Sequence, residues 1–91
     1  MNKVAKHIVF SGSVQGIGFR FTAQNIANRN MLTGYVRNLS DGTVEMFAQG
    51  DIEDIEDAIS DLKETFASNI RDVAVKNAAV DPKFREFKLT F

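Results

Sequence analysis

Apolar and polar positions along the chain sort into short runs of two different periods. Residues 4–11 are dense in Val, Ile and Phe, as a short buried strand is. A glycine-rich loop follows over 12–19. From Arg20 to about Met31 the chain holds good helix formers, with Ala23, Ile26 and Ala27 near helical spacing. Phe19 or Phe21 is expected to anchor the start of that helix. Residues 33–38 and 43–49 are strand-like. In the second run Val44, Met46 and Ala48 take one face, and Glu45, Phe47 and Gln49 take the other. Leu39-Ser40-Asp41-Gly42 joins the two runs, and its Asp-Gly pair favours a tight hairpin.

Gly50-Asp51 closes that strand and opens a second helix, in which Ile52, Ile55, Ala58, Ile59, Leu62 and Phe66 recur at three- and four-residue steps. Asp51, Glu53, Asp54, Glu56 and Asp57 crowd its first turns, where the helix dipole favours negative charge. They lack metal-ligand spacing and read as a solvated face. Residues 71–76 form a further strand. Beyond Pro82 the run 83–91 alternates Arg85, Phe87, Leu89 and Phe91 against Phe84, Glu86, Lys88 and Thr90, which predicts a last strand. Glu45, just after the hairpin, is expected to face solvent. The order β-α-β-β-α-β plus a terminal strand is the split β-α-β, ferredoxin-like arrangement. It predicts an α+β sandwich: an antiparallel sheet of four to five strands with two helices on one face.

The 91 residues suit one compact domain, 1–91, and 44% are apolar, which excludes a disordered chain. No cysteine is present, so disulfides, thiolate metal sites and a cysteine nucleophile are excluded. No apolar stretch approaches membrane-spanning length. The first ten residues carry too short an apolar run for a signal peptide, and a cytoplasmic protein is expected. A net charge of −1 argues against a nucleic-acid partner. The charge is uneven, however. Lys3, Lys6, Arg20, Arg29 and Arg37 face only Asp41 and Glu45 in residues 1–50, while acids outnumber bases in 51–91. An anionic ligand fits the first half.

That half carries the densest chemical signal, Ser11-Gly12-Ser13-Val14-Gln15-Gly16-Ile17-Gly18-Phe19-Arg20. Glycines let backbone N–H groups converge on an anion, and a following arginine adds a charged fork matched to phosphate. The loop is not a Walker A motif, because no Gly-Lys-Ser/Thr closes it. It is not a dinucleotide fingerprint either, because position 21 is not glycine. Taken alone it also fits a plain turn with a surface arginine. Asn38 taken alone fits a hairpin residue, and His7 a packing or surface residue.

Gly12-Ser13-Val14-Gln15-Gly16-Ile17-Gly18-Phe19-Arg20 resembles the first signature of the acylphosphatase family. Gly34-Tyr35-Val36-Arg37-Asn38-Leu39-Ser40-Asp41-Gly42-Thr43-Val44-Glu45 resembles the second, at the family's separation. The resemblance spans nearly the whole chain. It implies that the amides of Val14, Gln15, Gly16, Ile17, Gly18 and Phe19, with Arg20, bind a phosphoryl group, and that Asn38 positions the attacking water. Tyr35 stands where the family more often has Trp. The stretch 65–70 lacks the Gly-Pro common there, which leaves the conformation of that loop open.

The implied reaction is hydrolysis of small acyl phosphates by a monomeric, metal-independent enzyme with no cofactor and no membrane partner. An acyl phosphate suits a chain with one His and no Cys: its carboxylate leaves without protonation, so no general acid is required. Two rivals remain. One is a carbamoyl-phosphate-handling domain like that opening the hydrogenase-maturation carbamoyltransferase, although position 21 is Phe where Pro is expected. The other is a non-catalytic anion-binding module on the same fold, which would have no use for Asn38.

Overall fold

The computed structural model describes residues 3–91; Met1 and Asn2, part of the expected 1–91 domain, lie outside them. The two periods in the sequence resolve into strand β1 (Val4–Gly12), helix α1 (Phe19–Arg29), strands β2 (Thr33–Asn38) and β3 (Val44–Gly50), helix α2 (Ile52–Thr65), and strands β4 (Ile70–Ala78) and β5 (Phe87–Leu89). They form one five-stranded sheet in the order β4-β1-β3-β2-β5. The architecture is the expected ferredoxin-like α+β fold.

Period-two alternation sends Ile8 and Phe10 of β1, Val36 of β2, and Val44, Met46 and Ala48 of β3 to one face. There they meet Phe19, Ala23, Ile26 and Ala27 of α1 and Ile55, Ala58 and Leu62 of α2. Fully burying a side chain of this size contributes about 1.5–3 kcal/mol. The two helices therefore dock on the sheet through the stripes their spacing encodes.

Helix α1 ends in a Schellman arrangement. The N–H of Leu32 bonds the carbonyl of Ala27 at 2.9 Å, and the N–H of Met31 bonds that of Asn28 at 3.2 Å. Met31 occupies the left-handed position, at φ +57°, where glycine is usual.

The last strand departs from expectation twice. Only Phe87–Leu89 of the run 83–91 is strand, and β5 pairs parallel to β2, so the sheet is mixed rather than antiparallel. The path of the chain explains both. After β4, on the far edge, residues 79–86 cross the helix-free face of the sheet to reach β2. Gln49, buried at the end of β3, pins this crossing by accepting from the N–H of Asp81 and donating to its carbonyl, both at 2.9 Å. Phe84 then packs on Tyr35 and Phe47, with ring centroids 5.6 and 5.5 Å away, instead of extending the strand. The chain meets β2 at Gly34, whose N–H bonds the carbonyl of Glu86, and can only run alongside it in the same direction.

The crossing also covers β3 from its second side. Glu45, expected to face solvent, is buried between β1 and β2. It accepts from Arg37 Nε at 2.5 Å and lies 2.6 Å from His7 Nε2. Burial pushes its carboxyl upward, but the hydrogen bonds from His7 and Arg37 and the charge of Arg37 outweigh that and hold it below the usual glutamate value.

Candidate active site

Residues 13–18 bridge β1 and α1, and their side chains alternate in destination. Val14 is fully buried. Gln15 turns toward the β2–β3 hairpin, Ile17 faces outward, and Phe19 drops back into the core. The ring of Phe19 lies 4.9 Å from that of Phe10 on β1 and 4.8 Å from that of Phe66 beyond α2. Phe19 is thus the anchor of α1, and Phe21 is the exposed residue of the pair considered from sequence. The loop is held at its other end by the N–H of Ser13, which bonds the carbonyl of Asn69 at 2.9 Å.

Gly16 and Gly18 both have left-handed backbones, at φ +78° and +79°, and no atom lies within 4 Å of where a Cβ would stand. They are required for dihedral angle rather than for room. Gly18 is the N-cap of α1, so no side chain caps this helix, and no acid stands in its first turn. Helix α2 also lacks a side-chain cap bond, but there Asp51 stands at the N-cap, with Glu53 and Asp54 next in line. The positive end of the α1 dipole is thus left without a side-chain anion of its own.

The hairpin at the other side of the site is built on Asp41. Its Oδ1 accepts from the N–H of Thr43 at 3.0 Å and from the Thr43 hydroxyl at 2.6 Å, and these two bonds hold its carboxyl below the usual range. The turn points the carbonyls of Leu39 and Thr43 toward Gln15. The Gln15 side-chain amide donates to both, at 2.8 and 2.9 Å.

Val14, Gly16, Gly18, Phe19, Arg20 and Asn38 line one pocket of about 190 Å³, completed by Phe21, Leu89 and Phe91. Arg20 and Asn38, brought together here, come from the first turn of α1 and the last residue of β2. Arg20 Nη1 donates to the carbonyl of Thr90 at 2.9 Å, and the guanidinium sits 4.8 Å from the centroid of the Phe91 ring. One of its five N–H donors is thereby used, and the fork is held in one orientation. Gln15 and Ile17, also expected in the phosphate-binding loop, are not among the residues that line it.

Sequence reasoning missed three things. The fastening role of the Gln15 side chain is invisible because its partners lie in another loop. The contribution of Leu89, Thr90 and Phe91 depends on a contact 70 positions away from Arg20. His7 turns out to be the partner of a buried carboxylate on the helix-free face. Among the described residues no group of three His, Asp or Glu side chains is arranged to hold a metal ion. Among them too, no helix is long and apolar enough to cross a membrane.

Comparison with known proteins bears on the same region. The family model described as acylphosphatase matches residues 6–89. The acylphosphatase of Chlorobaculum tepidum is 39% identical over 90 residues, covering 98% of both chains. The crystal structure of acylphosphatase from Bacillus subtilis superposes with a TM-score of 0.88 at 29% identity, over 97% of this chain and 99% of that one. A full-length HypF in its phosphate- and nucleotide-bound form gives a TM-score of 0.87 at 30% identity, covering 99% of this chain but 12% of that one. With the model matched from residue 6 to residue 89 and relatives aligned nearly end to end, the chain belongs to the acylphosphatase family of hydrolases.

Proposed function

We propose that the chain hydrolyses the carboxyl–phosphate bond of small acyl phosphates, giving a carboxylate and inorganic phosphate. The observation that carries this reading is the shared pocket of Arg20, Asn38 and the two left-handed glycines at an uncapped helix start.

The phosphoryl oxygens take hydrogen bonds from the backbone amides of Val14–Phe19 and from the free edge of the Arg20 guanidinium. These donors are fixed before substrate arrives, so they stabilise charge on the phosphoryl group without reorganisation. Asn38 is neutral and is not a base. Its amide both donates and accepts, which suits it to hold a water in line with the bond to be broken. The water oxygen bonds to phosphorus as the phosphorus–carboxylate bond breaks, and the bonding pair leaves with the carboxylate. The proton of the water passes to a phosphoryl oxygen. No protein acid is needed, because a carboxylate is a good leaving group.

The reading includes no metal and no cofactor. It takes the enzyme as a cytoplasmic monomer acting as a single domain over 1–91, with no nucleic-acid or membrane partner. The alternative of a non-catalytic anion-binding module gains nothing from the pairing of Asn38 with Arg20. The test is turnover of benzoyl phosphate beside an ordinary phosphate monoester, before and after dialysis against a chelator. Hydrolysis of the first alone, unchanged by dialysis, is expected. Binding of phosphate without turnover would leave the module, and a loss restored by a divalent ion would remove metal independence.

A further inference from the structure

A second cavity lies where residues 79–84 cross the helix-free face of the sheet. It measures about 580 Å³, against about 190 Å³ for the pocket of Arg20 and Asn38. Sites for small molecules span about 300–1,000 Å³. One wall is aromatic. Tyr35 of β2 and Phe47 of β3 stack with ring centroids 5.8 Å apart, and Phe84 of the crossing packs on both.

The charge of the lining is positive. Arg37, Lys83 and Lys88 face one acid there, Asp81. The three cations come from β2, the crossing and β5, and the sheet register brings two of them to one place. Lys88 is the parallel partner of Tyr35, and Arg37 stands two positions further along β2. Both side chains therefore rise from the same face of neighbouring strands. The fold uses little of this charge. Arg37 gives its Nε to Glu45, and its two Nη groups make no hydrogen bond among the described residues. Lys83 approaches Asp81 only to 3.8 Å, with both side chains open to water. Among the described residues no acid lies within salt-bridge distance of Lys88. Glu45 beneath Arg37 and Asp81 beside Lys83 offset two of the three charges, so the groove stays positive. Like charges gathered in one groove repel each other, and a bound anion relieves that repulsion.

We infer that this groove binds a small aromatic phosphate, at a site separate from the pocket of Arg20 and Asn38. The open edge of the Arg37 guanidinium matches phosphate oxygens as a fork, and Lys83 and Lys88 add point charges. The ring of the ligand lies against the aromatic wall and sheds apolar surface from water there. The lining has no glycine nest and no asparagine to hold a water, so the ligand is held rather than hydrolysed.

The test titrates isotope-labelled protein with 4-nitrophenyl phosphate and follows the backbone amides by NMR. Phe91 lines both cavities, so the readout uses residues that line only one. Amides of Arg37, Phe47, Lys83 and Lys88 report the groove, and those of residues 14–20 report the other pocket. Saturable shifts at the groove amides are expected. Inorganic phosphate should bind there on the order of tenfold more weakly, because it buries no ring. Lys88→Ala and Lys83→Ala should each raise the groove dissociation constant about two- to fivefold, as loss of one exposed charge pair does. Added salt should weaken the parent's binding, and both variants should hydrolyse benzoyl phosphate at the parental rate. Shifts confined to residues 14–20, equal groove affinity for inorganic phosphate, or unchanged affinity in both lysine variants overturns the inference and leaves the hydrolase reading standing. Benzoate bound in the groove as tightly as the aryl phosphate overturns it too, since the site would then select a carboxylate. Groove binding in a parent that does not turn over benzoyl phosphate keeps this site and removes the hydrolase reading.

Discussion

Gln15 hands one side-chain N–H to the carbonyl of Leu39 at 2.8 Å, across 24 positions of sequence, and the same amide reaches the carbonyl of Thr43. The loop that carries the proposed phosphate donors is thereby fastened to the hairpin that follows Asn38. Neither loop is helix or strand at that point, and this amide adds two bonds between them beyond the pairing of β1 with β3.

Gln15→Leu keeps the bulk and removes the donors. It removes one of two donors from each carbonyl, since that of Leu39 also accepts from the Gly42 N–H and that of Thr43 from the Leu39 N–H, and each lost bond of this kind costs about 0.5–1.5 kcal/mol. Urea unfolding should register a loss in that range. The catalytic consequence should exceed the structural one: kcat should fall on the order of tenfold, because small misplacements of reacting groups are expensive. Measured kcat equal to the parent's in a destabilised variant would show that the fastening serves stability alone.

Arg20 and Asn38 should fail differently. Arg20 is assigned to the phosphoryl group in both ground and transition states. Arg20→Ala should weaken phosphate inhibition and turnover together, and Arg20→Lys should restore little, because lysine lacks the planar fork. Asn38 is assigned to the water alone. Asn38→Ala should reduce kcat by on the order of 10²-fold while phosphate inhibition stays within a few-fold of the parent's. Near-parental turnover in a folded Asn38→Ala protein would make Asn38 a hairpin residue and remove it from the mechanism.

Met31→Gly should stabilise the protein. A side chain at φ +57° costs about 1–2 kcal/mol against glycine, and glycine returns about 0.5–1 kcal/mol of that as extra freedom in the unfolded chain. The side chain being removed is 80% exposed, so little packing is lost. A rise of up to about 1 kcal/mol in unfolding free energy is expected, without change in kcat. A fall in stability would mean that Met31 makes contacts worth more than its dihedral strain.

These variants also separate what could be read from the chain from what could not. The first six elements follow from local signals. Val44, Met46 and Ala48 alternate as a strand with one core face, and Ile55, Ala58 and Leu62 recur as a helix stripe; both patterns survive folding because each element buries one face. The Gly-rich loop and Asn38 are legible because two short motifs stand at a fixed separation. The end of the chain is not. Its alternation from Arg85 to Phe91 fits a full strand, yet Phe84 is drawn into the aromatic contacts of Tyr35 and Phe47, and the strand shrinks to three residues. Local pattern cannot report that competition, because the competing partners are 37 and 49 positions away. Glu45 is illegible for the same reason: its partners, His7 and Arg37, lie on neighbouring strands.

The Glu45 cluster makes a pH prediction. The carboxyl is held below its ordinary 4.5 in the folded protein, so the unfolded chain takes up this proton at higher pH than the folded one does. The resulting stability is present in full above the unfolded value and is lost as pH falls below about 5 toward the folded value. Unfolding midpoints measured from pH 7 downward should drop over that window in the parent. Glu45→Gln should start lower at pH 7, with Arg37 and His7 deprived of their carboxylate, and should show a shallower acid limb. An acid limb of the same steepness would assign it to other carboxylates.

The bond from Arg20 to the Thr90 carbonyl joins positions 70 apart. Loops of that length close slowly and late, because their entropy must be met before the contact returns anything. The sheet bears the same cost, since β1 pairs with β4 at Ala5 and Ala78, so core and site should be completed in one cooperative step. Regained turnover would then coincide with every spectroscopic signal from the same chain and serve as a direct readout of the folded fraction.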